Sequence, residues 1–144
     1  MAETYGLCME LLERESPLDC LAAALASARA GSGRVALVSG GAGLGKTSLV
    51  RAFLDGLDPA IPALVGACDD LSTPRPLGPV HDIARGCRPA LAEALARGDV
   101  PAVYTALLDE LGGEGPTVVV VEDVHWADEA TLDALTFLAR RVDR

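Results

Sequence analysis

The sequence predicts an α/β fold in which helices flank a parallel β-sheet. Two observations lead to this expectation. Short apolar runs at residues 34–39 and 117–121 have the composition of strands buried on both faces, and residues 61–66 are predicted as a further strand. Predicted helices, whose ends are marked by capping residues, glycine or proline, alternate with these runs. This order is typical of a parallel sheet with flanking helices.

The first two predicted helices are defined by their ends. Ser16 can cap a helix whose first residue is Pro17, and Gly31 is expected to end it. A second helix is predicted to begin at Lys46 and to close at Gly56. Both helices would flank the strand predicted between them.

Later helices are predicted with weaker signals. Glycine and proline punctuate the segments 81–86, 89–97 and 101–111, each of which fits a short helix. Asp128 is expected to cap a last helix, because its side chain can accept a hydrogen bond from a free N–H group of the first turn. The apolar face of that helix is predicted to carry Leu132, Leu135, Leu138 and Val142.

The composition indicates one packed domain. Half of the 144 residues are hydrophobic and 23% are charged, which is enough apolar surface for a core. Twelve basic residues against 21 acidic ones give a net charge of −9, which argues against a nucleic-acid-binding surface. The four cysteines form no C-x-x-C pair, and the N-terminus has no basic signal segment. We therefore expect a soluble cytoplasmic protein with reduced thiols and no membrane partner.

A glycine-rich loop after the first predicted strand is the strongest functional signal. It satisfies the pattern G-x-x-x-x-G-K-[ST], in which glycines let backbone N–H groups surround phosphate oxygens. Lys46 is expected to reach the β- and γ-phosphates, Thr47 to bind Mg²⁺, and Ser48 to contact the α-phosphate. The sequence therefore predicts a P-loop site for ATP with Mg²⁺. The loop comprises Gly40, Gly41, Ala42, Gly43, Leu44, Gly45, Lys46 and Thr47.

Two carboxylates, Glu122 and Asp123, directly follow the apolar run at 117–121. A strand parallel to the first would bring them beside the phosphates, where one would hold Mg²⁺ and the other would polarise the attacking water. The first acidic position of this pattern is usually Asp but is Glu122 here, so the spacing leaves open which carboxylate holds the metal. His125 and Trp126 follow and are expected to have structural roles, Trp126 in packing.

These motifs resemble, in their order along the chain, the AAA-like ATPase domain of bacterial STAND-type signalling proteins, which include LuxR-type, MalT-like transcriptional regulators. The resemblance runs from about residue 11 to 141 and implies an ATP-driven switch. It also implies that residues 12–15 lie near the adenine. The segments that carry it are LERE, GGAGLGKTSLV, GACDDLSTPRPLGPVHDIA and VVVVEDVHWADEATLDAL.

The sheet of this family has the strand order 5-1-4-3-2, and the sequence offers candidates for strands 1, 2 and 3 only. We therefore expect an apparently truncated P-loop NTPase domain over residues 34–144, preceded by a helical segment over 1–33. Either the sheet has two unpaired edges or strands 1 and 3 pair directly. The strand-4 sensor and the catalytic arginine of the family have no counterpart, so we expect ATP binding with little or no hydrolysis.

Three functions remain open at this point. The first is the ATPase module of a signalling regulator, which would self-associate or contact C-terminal domains that lie further along the chain. The second is a nucleotide-binding interaction module without hydrolysis, and the third is a P-loop phosphotransferase. A GTPase is disfavoured, because the sequence has neither D-x-x-G after the acidic pair nor N-K-x-D.

Overall fold

The computed structural model describes residues 17–41, 43, 45–73 and 75–142. These residues divide into two compact units: a first unit that extends to Ala60 and includes Val142, and a second unit, Ile61–Arg141. The helices and strands are α1 (Pro17–Arg29), α2 (Lys46–Asp55), β1 (Ala63–Ala67), α3 (Gly78–Ile83), α4 (Pro89–Arg97), α5 (Val100–Leu111), β2 (Val118–Glu122) and α6 (Glu129–Ala139), with 3-10 turns at Ala84–Gly86 and Val124–Trp126.

The first unit contains α1 and α2, and both helices end where the sequence predicts. After α1, Gly31 has a φ of 86°, a left-handed conformation that glycine adopts without strain. At the end of α2, the N–H of Gly56 donates to the carbonyl oxygen of Ala52 at 3.2 Å. The predicted cap Ser16 lies outside the described residues, as do residues 12–15.

The strand predicted at 34–39 is absent from the structure, and that prediction was wrong. These residues have no regular secondary structure and pair with no described strand. Val35 and Leu37 are 52% and 61% exposed. An apolar run becomes a strand only where a neighbouring strand satisfies its backbone and other layers cover its faces. The expected alternative in which this run pairs with the strand at 117–121 is likewise not found.

The second unit contains a two-stranded parallel sheet. β1 pairs with β2 from Ala63 opposite Val118 to Ala67 opposite Glu122. The strands predicted at 61–66 and 117–121 are therefore confirmed within one or two residues. Their parallel pairing agrees with the predicted α/β class, in which strands 2 and 3 are neighbours.

All buried apolar residues of the described chain belong to the second unit. Leu91 of α4 is fully buried, and Val103 of α5 is 1% exposed. Val119 and Val121 pack from the sheet against this core. Ala63 and Val65 of β1 point to the opposite face of the sheet and are exposed.

The core face of α6 agrees with the predicted one only in part: Leu138 packs against the core as expected, and Leu132 does not. Thr131 and Ala134 are 1% and 2% exposed, whereas Leu132 is 46% exposed. Thr131 turns inward because its hydroxyl donates to the Asp128 carboxylate at 2.6 Å. The prediction considered apolar residues only, so it placed Leu132 on the core face and overlooked its neighbour Thr131.

Helix α3 lies unusually close to β1. A Cβ atom added to Gly66 would stand 2.3 Å from the carbonyl oxygen of Pro79. Real side chains do not approach a backbone atom so closely, so only glycine fits at this position.

Within the described ranges, no helix is both long enough and apolar enough to cross a membrane.

Candidate nucleotide-binding site

The phosphate loop lies in the first unit and takes the backbone shape that its glycines permit. Gly43 and Gly45 both have a φ of 78°. A Cβ atom at either position would meet nothing within 4 Å, so glycine is required there for its backbone conformation and not for space. Ala42 and Leu44, which belong to the predicted loop, lie outside the described residues.

Lys46 reaches back over the loop, as the motif predicts for a side chain that contacts bound phosphate. Its Nζ donates to the carbonyl oxygens of Gly40 and Gly41 at 2.8 and 3.0 Å. The two bonds hold the ammonium group of Lys46 against the loop. The structure therefore brings Lys46 together with Gly40 and Gly41.

Backbone donors at the start of α2 complete an anion-binding arrangement. The first N–H of this helix that bonds back to the preceding turn is that of Leu49, which donates to the carbonyl oxygen of Gly45 at 2.9 Å. The N–H groups of residues 46–48 thus keep no partner within the helix, as is general for a first turn. Thr47 and Ser48 are exposed. These donors and the Lys46 ammonium fit a polyphosphate chemically.

The acidic pair lies in the second unit, at the carboxyl end of β2. Glu122 is the last residue of the strand, and its carbonyl oxygen accepts from the N–H of Cys68 at 3.0 Å. By strand alternation its side chain shares the face of Val118 and Val120, opposite the face that Val119 and Val121 turn to the core. Glu122 is therefore available for contacts beyond the core of its own unit.

Asp123 is exposed and has a left-handed backbone, with a φ of 54° and a ψ of 42°. Aspartate is one of the few non-glycine residues that tolerate this conformation. Asp123 and Asp69 lie near Cys68: burial first, and then the charges of Asp128, Asp123 and Asp69, raise the pKa of the Cys68 thiol. Several carboxylates therefore gather at the edge where both strands end.

These carboxylates do not form a metal cage by themselves. Within the described residues, no three His, Cys, Asp or Glu side chains are grouped to hold a metal ion. Magnesium that binds together with a nucleotide takes most of its ligands from phosphate oxygens and water and few from the protein, so it does not require such a cage.

Asp128 caps α6 as predicted and also makes a bond that the sequence does not signal. Its Oδ1 accepts from the N–H of Thr131 at 3.0 Å and from the N–H of Leu77 at 3.4 Å. Partial burial by itself raises the pKa of Asp128, but the hydrogen bonds from Thr131 and Leu77 outweigh it and hold the pKa below its ordinary value. Asp128 thus fastens the segment before α3 to the start of α6.

The segment 66–84 is explained by this architecture. Gly66 admits Pro79 against the sheet, and Asp128 holds Leu77, which is buried and left-handed with a φ of 58°. Asp82 accepts from the N–H of Ala67 at 3.5 Å. The sequence could not show the contact between Leu77 and Asp128, because these residues are 51 positions apart.

His125 and Trp126 follow the acidic pair and remain at the surface. Their rings are 5.0 Å apart between centroids, with a tilted arrangement. His125 is exposed, and Trp126 is 44% exposed. Trp126 is therefore not the core-packing residue that the sequence suggested, because the short turn Val124–Trp126 lies beyond the end of the sheet.

The family comparison agrees with the phosphate loop and the acidic strand end. Residues 10–144 match the model of the AAA ATPase domain, which covers nearly the whole chain. Searches of curated proteins and of solved structures gave no match. Membership of this family implies binding and hydrolysis of ATP, typically with Mg²⁺. With both motifs in place and the match extending over almost every residue, the chain belongs to the AAA ATPase domain family.

Proposed function

We propose that this chain is the ATP-binding switch module of a cytoplasmic bacterial signalling protein or transcriptional regulator. The observation that carries the proposal is the phosphate loop, in which left-handed glycines and the Lys46 ammonium stand at the start of α2, whose first N–H groups have no partner within the helix. Residues 1–33 would lead into the domain, which would occupy 34–144.

Each loop residue has a distinct task in this proposal. Lys46 exchanges its bonds with Gly40 and Gly41 for bonds with the β- and γ-phosphate oxygens. The hydroxyl of Thr47 binds Mg²⁺, and Ser48 contacts the α-phosphate. When bound, Mg²⁺ neutralises charge on the phosphates. The exposure of Thr47 and Ser48 leaves both hydroxyls accessible for these contacts.

The acidic pair divides two roles between Glu122 and Asp123. One carboxylate holds the metal and the other orients the water that attacks the γ-phosphate. Glu122 belongs to the strand and is fixed through its carbonyl, whereas Asp123 stands one residue beyond in a left-handed conformation. Non-glycine residues in this conformation are often found at functional sites, which supports a role for Asp123 without deciding which one.

The regulatory context rests on the resemblance of segments 66–84 and 118–135 to STAND-type and LuxR-type regulators. In such proteins the nucleotide state controls domain opening or oligomerisation. The reading frame that encodes the chain tests this context: helical repeats and a helix-turn-helix downstream would support it, and a metabolic enzyme domain would oppose it.

Calorimetry with MgATP tests the binding site. Lys46→Ala should weaken binding roughly 10²–10⁴-fold, because it removes two charge-assisted hydrogen bonds worth about 1.5–3 kcal/mol each. Arg51→Gln is a matched control on the exposed surface of the same helix and should bind as the wild type does. Equal affinity of Lys46→Ala and wild type would refute the phosphate-loop assignment.

Substitutions of the acidic pair separate the two carboxylate roles. Glu122→Gln and Asp123→Asn should differ in kind: the metal-holding position loses Mg²⁺-dependent affinity, and the water-orienting position keeps binding and loses turnover. Measurements of ATP affinity with and without Mg²⁺, and of phosphate release, distinguish them. The turnover measurement belongs in a longer protein that contains the whole ATPase domain, because this chain by itself is expected to hydrolyse little or no ATP. Normal binding with no turnover in that protein would instead favour an interaction module without hydrolysis.

A further inference from the structure

A second pocket lies in the second unit, between the α3 region and α4. Its volume is about 200 Å³, below the roughly 300–1,000 Å³ of sites for drug-sized ligands, so only a small molecule fits. One side is apolar, because α4 presents three uncharged side chains towards it, one from position 92 and two from the next turn. The apolar lining consists of Ala84, Ala92, Leu95 and Ala96.

The other side of this pocket is basic. Arg75, His81 and Arg85 line it, although the chain as a whole carries a net charge of −9. Nη1 of Arg85 is 3.3 Å from Oδ1 of Asp82, so this ion pair offsets the charge of Arg85. Arg75 forms no ion pair with any residue that the structure describes. The pocket thus keeps one uncompensated positive charge, that of Arg75.

His81 adds a neutral hydrogen-bond donor beside that charge. Burial, and then the positive charge of Arg75, lower the pKa of His81, although Asp82 opposes the shift. At neutral pH the ring is therefore uncharged and carries one N–H group. The segment that holds Arg75 is tied to Asp128 two residues later, at Leu77, which limits how far the guanidinium can move away.

We propose that this pocket binds a small organic anion, with a phosphate or carboxylate on Arg75 and His81 and a short apolar body against α4. A guanidinium and an imidazole N–H are donors that suit an anionic oxygen, and the alanine-rich face of α4 suits a hydrocarbon or ring. No residue of the pocket belongs to the phosphate loop or to the acidic pair. The site is therefore independent of the proposed ATP site.

Two-dimensional ¹⁵N NMR of the full chain, titrated with phenyl phosphate to about 10 mM, tests the proposal. Saturable shifts should appear at the amides of residues 75–85 and 92–96. Arg75→Gln should weaken binding about tenfold, because it removes the charge-assisted bond. The matched control Arg97→Gln lies on α4 outside the pocket and should bind within about twofold of wild type, since its ion pair is exposed.

Three further arms fix the ligand chemistry. Benzoate should compete with phenyl phosphate for the same amides, phenol should bind weakly because it lacks the anion, and inorganic phosphate should bind weakly because it lacks the apolar body. Lys46→Ala should leave the titration with phenyl phosphate unchanged although it weakens ATP binding. Shifts that do not saturate, or that persist equally in Arg75→Gln, would overturn the proposal. Arg75 and Arg97 are both exposed, so neither Arg75→Gln nor Arg97→Gln should prevent folding.

Discussion

The two units of this chain bury very different amounts of apolar surface. Neither helix of the first unit has a buried residue, whereas the second unit contains every buried apolar residue of the described chain. Among the described residues, the phosphate loop therefore lies in the unit with no buried side chain, and the acidic strand end lies in the unit that holds the core. The sequence pattern of the loop is contained in eight consecutive positions, so it can be recognised where packing gives no signal.

The largest effect is expected from matched leucine substitutions in the two units. Leu91→Ala removes a fully buried side chain and should lower the free energy of unfolding by about 3 kcal/mol, from lost transfer energy and a residual cavity. Leu37→Ala, at a position 61% exposed, should change it by less than about 0.5 kcal/mol. Urea unfolding followed by circular dichroism measures both, and equal effects would show that the first unit has a core after all.

Asp128 should give the next largest effect, with a defined pH dependence. Asp128→Ala removes a helix cap and the bond to Leu77 and should cost about 2 kcal/mol at pH 7. Because the folded-state pKa is lowered, this stabilisation is complete above the unfolded value of about 3.9 and is lost as pH falls through the lower folded value. The exposed Asp133→Ala is the control, and a cost that rises instead of falling as the pH is lowered below the unfolded value would contradict the hydrogen-bonding role.

Ion pairs in the two units should give the smallest difference. Nε of Arg88 is 2.9 Å from Oε1 of Glu110, whose side chain is only 17% exposed, so Arg88→Ala should cost about 1 kcal/mol. Nη2 of Arg29 is 3.8 Å from Oδ2 of Asp58, and the two side chains are 51% and 55% exposed. Arg29→Ala should therefore leave the free energy of unfolding almost unchanged. Thermal unfolding at low and high salt checks both, and a larger loss for Arg29→Ala would reverse the comparison.

Local signals predicted much of this structure, and long-range partners account for what they missed. The ends of α1, α2 and α4 follow from Pro17, Gly56 and Pro89, which act within a few residues. The phosphate loop was equally readable, because its chemistry is contained in eight consecutive positions. The segment 34–39 failed as a strand because pairing depends on neighbours that its own composition cannot specify.

The candidate site divides in the same way. The cap formed by Asp128 was predicted, since it acts on Thr131 three residues later. Its bond to Leu77 and the approach of Pro79 to Gly66 could not be predicted, because each joins segments that only the tertiary fold brings together. The exposure of Trp126 also depends on where the sheet ends, and hydrophobicity alone favours burial.

The contact between Gly66 and Pro79 matters to anyone who would engineer this chain. Replacing glycine by alanine at a position with a compatible backbone can stabilise a protein by about 0.4–1 kcal/mol, because it lowers the conformational entropy of the unfolded chain. At position 66 the same replacement would bring a methyl group against the carbonyl oxygen of Pro79 and push α3 away from β1. Because α3 follows directly from Leu77, the displacement would reach the carboxylate of Asp128. A library that diversifies every glycine should therefore keep this one fixed.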